Sequence, residues 1–157
     1  VAEQQVHTDL GDFRLLVYRD VLAKELHQAL VFGAPGPDAA TLVRVHTQNF
    51  WSDVLGINRA DFGLPLRRAM ATIAQAGAGV IVIIGDRPDN QSALARLQGE
   101  RSSDDQAQPW RMTGIGAQIL ADLGLRQLRV LGTPRRYLGL VGYGLEVVEY
   151  VSSATTA

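Results

Sequence analysis

The chain has 157 residues, no cysteine, and 15 basic against 16 acidic side chains, for a net charge of −1. That size suits one domain with a core of its own, and the balanced charge excludes a global basic field for nucleic acid. Zero cysteine excludes a disulfide framework, a thiolate zinc site, an iron–sulfur cluster and a cysteine nucleophile. The apolar runs are too short for a membrane-spanning helix, which needs about eighteen residues. Lys24 is the only lysine; the other basic residues are arginines. The first residue is Val1, with no signal-like hydrophobic region behind it. An excised or trimmed domain of a cytoplasmic protein is expected.

Residues 1–10 are polar and read as a tail or linker, so the domain is expected to span 11–151. Phe13–Arg19, His27–Phe32 and Leu42–His46 are β-rich runs separated by turn residues, and they suggest an antiparallel strand group. Leu66, Ala69, Met70, Ile73 and Ala74 recur at helical spacing, with Gly77 and Gly79 ending the pattern. Val80–Ile84 is continuously apolar, as in a buried central strand. Residues 85–111 read as a mobile loop, with a short helix over Ser92–Gly99 as an option. Thr113–Leu123 predicts a helix stopped by Gly124. Leu128–Leu131 predicts a strand, Pro134 starts a helical turn, and Leu145–Val151 predicts the last strand. Residues 152–157 read as a disordered tail. This order of elements implies an α/β or α+β fold without internal repeats.

Three stretches carry a more specific signal. Arg44-Val45-His46-Thr47-Gln48, followed by Asp53-Val54-Leu55-Gly56, Arg59, Asp61 and Gly63, resembles GTP cyclohydrolase II. So do Gly114–Gly124 and the closing Gly142-Tyr143-Gly144-Leu145-Glu146-Val147-Val148-Glu149. The resemblance runs from Phe13 to Val151. It implies a mixed sheet with an N-terminal antiparallel strand group and flanking helices. It also implies a homodimer. That family opens the imidazole ring of GTP with a zinc-bound water, releasing formate and pyrophosphate at the start of riboflavin synthesis. In many bacteria it is fused behind 3,4-dihydroxy-2-butanone 4-phosphate synthase, and the opening residues here are similar to that junction.

The family's zinc is held by three cysteines in a motif of the form RVHSECLTGD…RCDCG. Aligned without a gap, the three cysteine positions fall on Asn49, Ala60 and Phe62. Alanine and phenylalanine have no donor atom, and asparagine is a weak neutral one. Without zinc, which brings bound water to a pKa of about 7, the reaction has no source of nucleophile. A lone His46 reads as a strand residue with a hydrogen bond, because zinc needs three or four ligands. Neither zinc nor magnesium is expected.

Other positions implied by the resemblance also differ. The family's phosphate- and metal-associated RQEGRG segment reads Gly85-Asp86-Arg87-Pro88-Asp89-Asn90, and its guanine-reading glutamine aligns with Pro65. The region of its catalytic tyrosine is shortened, and no tyrosine lies between Trp51 and Trp110. Its catalytic arginine aligns with Arg111, the one residual catalytic candidate, with Pro109 in place of an acidic neighbour. Arg136 falls where a lysine contacts phosphate; it and Arg44 are the phosphate-binding candidates, although a surface or salt-bridging role is the commoner one for such arginines. Trp51 and Phe62 read either as a new apolar surface or as filling of the space left by zinc. Asp104-Asp105 reads either as a divalent-ion site or as solvated loop.

The expectation is therefore a degenerate GTP cyclohydrolase II-like domain, inactive as a cyclohydrolase, that supports or regulates a fused or partner synthase. A non-catalytic GTP, phosphate or pyrophosphate sensor is the alternative. A metal-free enzyme of another kind finds no nucleophile–base pair in these motifs.

Overall fold

The computed structural model describes residues 2–59, 62–85, 94, 97–99, 109–132 and 140–152, with 109–113 and 141 described by backbone alone. Seven strands form one mixed sheet: β1 (Ala2–Thr8), β2 (Gly11–Arg19), β3 (Leu26–Phe32), β4 (Thr41–Thr47), β5 (Gly79–Ile84), β6 (Gln127–Leu131) and β7 (Glu146–Val151). Their spatial order is β1-β2-β3-β5-β4-β6-β7. The first three strands and β5 pair antiparallel. The pairs β5–β4, β4–β6 and β6–β7 are parallel. The mixed sheet and the antiparallel pairing of the first two expected runs agree with expectation, but the third, Leu42–His46, does not join that group: β4 pairs parallel with β5 and β6, and β5 lies between it and β3.

Three helices are described: α1 (Phe50–Asp53), α2 (Leu66–Ala76) and α3 (Pro109–Asp122), with a 3₁₀ turn at Leu140–Tyr143. β5 explains the layering. All six of its residues are buried, so both of its faces must be covered. Val80, Val82 and Ile84 pack with Ala117, Ile119 and Leu120 of α3. Ile81 and Ile83 pack with Ala69, Met70 and Ile73 of α2. The alternation is the period-two geometry of a strand, and it places the sheet between two helical layers.

Residues 2–8 correct the expectation of a tail: they form β1, paired along its length with β2 from Ala2↔Val17 to Thr8↔Gly11. The strand hides from a hydrophobicity reading because it is an edge strand, mostly exposed on both faces. An edge strand of polar residues resists pairing with other chains. α3 starts at Pro109, earlier than the periodicity suggested, because proline is tolerated in a first helical turn. The expected turn at Pro134, most of the optional helix over 92–99 and the tail beyond Ser152 lie outside the described residues.

Candidate functional site

In open sheets with parallel strands, ligands bind at the carboxyl ends of those strands. Here that edge is formed by Thr47, Ile84, Leu131 and Val151, the last residues of β4, β5, β6 and β7. Arg44 and His46 stand two residues apart on β4, so they share a face with Leu42, which packs toward α2.

His46 is buried at 2% exposure. Its Nε2 lies 2.8 Å from Asp53 Oδ2. A carboxylate only accepts, so the imidazole donates from Nε2. The same Oδ2 accepts from the Asn49 amide at 2.9 Å, and Oδ1 accepts from the Leu66 amide at 3.0 Å. Asp53 therefore ties the end of β4 to the start of α1 and the start of α2. Burial pushes its carboxyl pKa up. The hydrogen bond from His46 and those from the Asn49 and Leu66 amides outweigh burial and hold it below the ordinary carboxylate value.

Asn49 is buried and sits at the N-cap of α1 in extended conformation. Its Oδ1 accepts from the Trp51 amide at 3.0 Å and the Ser52 amide at 3.5 Å. Asparagine is among the best residues for this task, since its side-chain oxygen satisfies amides that the first helical turn leaves open. Phe50 and Trp51 meet edge to face at 5.4 Å between ring centroids, and Trp51 is half-buried. Phe62 is half-buried, with the Arg59 guanidinium 4.4 Å from its ring centroid. That spacing is a cation–π contact. Arg59 also donates to the Leu97 carbonyl at 2.7 Å. Ala60 lies outside the described residues.

Arg44 reaches across the edge. Its two terminal nitrogens lie 3.3 Å from the carbonyls of Leu131 and Leu64. It thereby joins β4, the end of β6 and the segment leading into α2. Gly132 makes room for it: at φ +134°, a Cβ there would stand 2.6 Å from the Arg44 Nη1. Pro65 occupies the N-cap position of α2, and its carbonyl accepts from the Ala69 amide at 3.1 Å. Arg111 is placed by backbone in the first turn of α3. Arg136, residues 86–90 and Asp104-Asp105 lie outside the described residues. The structure thus brings His46, Asn49 and Asp53 together around the start of α1, while Arg44, on the same face of β4, reaches to the Leu64 and Leu131 carbonyls. The role of Asp53 as a hub was not legible from spacing, although both His46 and Asp53 match the quoted motif.

The residues at the aligned ligand positions do not fit a zinc ion. Asn49 Oδ1 is directed at two backbone amides, Phe62 offers a ring already covered by Arg59, and His46 donates its Nε2 proton to Asp53. Among the described residues, no group of three or more His, Cys, Asp or Glu side chains is arranged to hold a metal. No helix among them is long and apolar enough to cross a membrane.

Comparison with known proteins gives a consistent picture. The sequence pattern of the GTP cyclohydrolase II family matches residues 1–152. A Pseudomonas aeruginosa protein named 3,4-dihydroxy-2-butanone 4-phosphate synthase is 37% identical over 155 residues, covering 96% of this chain and 42% of its own length. A protein of that name from Neisseria meningitidis serogroup B is 43% identical, covering 92% of this chain and 40% of its own length. The riboflavin biosynthesis protein RibBA of Bacillus cereus is 37% identical, covering 96% and 41%. Among solved structures, RibBX of A. baumannii, a two-domain 3,4-dihydroxy-2-butanone 4-phosphate synthase, superposes with a TM-score of 0.63 at 32% identity, covering 96% of this chain and 39% of that one. The chain spans about two fifths of the length of these relatives.

Proposed function

Because the chain belongs to the GTP cyclohydrolase II family, we propose that it is a degenerate member of it: zinc-free, inactive as a cyclohydrolase, and serving a 3,4-dihydroxy-2-butanone 4-phosphate synthase in riboflavin biosynthesis. The observation that carries this reading is Asn49. At the first aligned ligand position the side chain is a helix cap with its oxygen engaged by the Trp51 and Ser52 amides. A cap oxygen in that geometry is part of the fold and offers nothing to a metal. The chain also has no thiolate anywhere to replace it. The names of the relatives, synthases and RibBA proteins, support the association with the synthase.

The reading includes a cytoplasmic setting, and a homodimer as the resemblance implies. Light scattering that returns a monomer at every concentration removes the dimer. The central test compares synthase kinetics of the full polypeptide with and without this region, together with its zinc content and formate release from GTP. A changed synthase rate, no zinc and no formate are expected. Stoichiometric zinc with formate release overturns the reading.

The second reading, a GTP or pyrophosphate sensor, draws on Arg44 and Arg136. The position of Arg44 at the carboxyl edge favours it. The engagement of both its terminal nitrogens by the Leu64 and Leu131 carbonyls favours a structural role instead. Calorimetric titration with GTP and with pyrophosphate separates the two. No heat at millimolar ligand removes the sensor.

A further inference from the structure

The exposed large hydrophobic side chains are unevenly distributed. The turn between β2 and β3 holds Val21 at 83% exposure and Leu22 at 96%, and Leu26 follows at the start of β3. Beyond β4, Phe50 is exposed, with Val54 at 66% and Leu55 at 55%. β3 runs antiparallel to β5, so Leu26 lies at the carboxyl end of β5; a Cβ on Gly85 would stand 1.8 Å from the Leu26 carbonyl oxygen. β3 and β4 flank β5. Both apolar groups therefore crown the same carboxyl edge, on either side of one strand. On the opposite edge, the turns at residues 9–10, 33–40, 77–78 and 123–126 expose no large hydrophobic side chain among the described residues, and the turn into β7 exposes Tyr143 at 40%.

The Val21–Leu22 turn is also held in place. Asp20 Oδ1 accepts from the Leu22 amide at 2.8 Å and the Ala23 amide at 3.0 Å, and the Asp20 amide donates to the Glu25 carbonyl at 2.8 Å. Lys24 takes a φ of +58°, the strained conformation that closes the turn. Two apolar side chains fixed outward in this way lose the freedom to fold back onto their own domain. Clustered exposed apolar groups of this kind mark interaction surfaces.

The first and last strands both open onto this carboxyl edge. β1 starts at Ala2, opposite Val17 near the end of β2, and β2 runs parallel to β5 through two antiparallel steps. Ala2 therefore lies at the carboxyl edge. β7 runs parallel to β6, so Val151 ends at the same edge. The described chain therefore enters β1 and leaves β7 at the edge that carries the exposed apolar groups. More than half the length of each relative lies outside the match, and RibBX is a two-domain synthase.

We propose that the carboxyl-edge face of Val21, Leu22, Leu26, Phe50, Val54 and Leu55 is the docking surface for a synthase domain joined to this chain in one polypeptide. The proposal rests on the synthase-supporting reading above and names the surface through which support is delivered. The missing cysteine makes the test direct. In the joined polypeptide, Leu22→Cys and Leu55→Cys each introduce one thiol into this region. Asp38→Cys in the opposite-edge loop serves as control. Maleimide labelling is followed peptide by peptide, so thiols elsewhere do not interfere.

The expected result is labelling at least tenfold slower at positions 22 and 55 than at 38, independent of protein concentration. Adding Leu55→Asp to Leu22→Cys is expected to restore fast labelling. Equal rates at all three positions overturn the proposal. Protection that vanishes on dilution also overturns it, because a second copy is then the occupant. The two readings fail separately. If removing this region leaves synthase kinetics unchanged while protection persists, the supporting role falls and the docking surface stands.

Discussion

Asp53 shows how much of this edge hangs on one side chain. Its two oxygens serve His46, the Asn49 amide and the Leu66 amide. Asp53→Ala leaves three buried or half-buried donors without an acceptor. At about 1–3 kcal/mol for each stranded group, with partial rescue by water, urea denaturation is expected to show a loss of about 3 kcal/mol. A loss below about 1 kcal/mol contradicts the hub. The pH dependence follows from the lowered carboxyl pKa. A group whose pKa is lower in the folded state stabilises above its unfolded value of about 3.9 and loses that contribution as pH falls through the folded value. The stability advantage of the native chain over Asp53→Asn is therefore expected to be full at neutral pH and to close below about pH 4. An advantage constant down to pH 2 contradicts the assignment. Gly132 gives a third prediction at this scale. Gly132→Ala puts a methyl group into the Arg44 guanidinium at a φ that side chains avoid, and is expected to cost about 1–3 kcal/mol in the same measurement.

Among the elements, α3 covers a small apolar void of about 20 Å³ lined by Val43, Val45, Ala117, Leu120, Leu128, Val130 and Leu140. Leu120→Ala enlarges it and is expected to lower stability by about 2–5 kcal/mol, whereas Val130→Ile puts a methylene into the void and is expected to be neutral or stabilising by up to about 1 kcal/mol. Thermal melts of the two variants check the pair, and a destabilised Val130→Ile means that the void does not accept the group. α2, α3, β5 and β6 were legible because each buries a face and the sequence must repeat at the period of that face. β1 was not legible, since an exposed edge strand is stabilised by its ladder and needs no apolar alternation. α1 is too short for any period to show. Asn49 was visible only as a position where a cysteine was missing. Its work as a cap depends on the chain turning at that point, which the residue type permits and does not announce.

At the level of the whole molecule, the proposed loss of the reaction and the retained fold need not reverse together. The variant Asn49→Cys/Ala60→Cys/Phe62→Cys restores three thiolates at the spacing of the family motif, and one equivalent of zinc is the expected uptake. It also removes the cap of α1 and the ring beneath Arg59. The cap alone is worth about 1 kcal/mol, so the metal-free variant is expected to be less stable than the native chain. Zinc then recovers part of that loss, because a ligand that binds only the folded state stabilises it. Formate release from GTP is expected to stay at background. Pro65 presents no side-chain donor or acceptor at the position of the family's guanine-reading glutamine, and it is built into the start of α2. A metal that activates water still requires the base to be held against it. Metal analysis, denaturation with and without zinc, and a formate assay on the same sample distinguish the outcomes. Zinc uptake without formate supports a fold that has outlived its reaction, and formate release from the triple variant contradicts it.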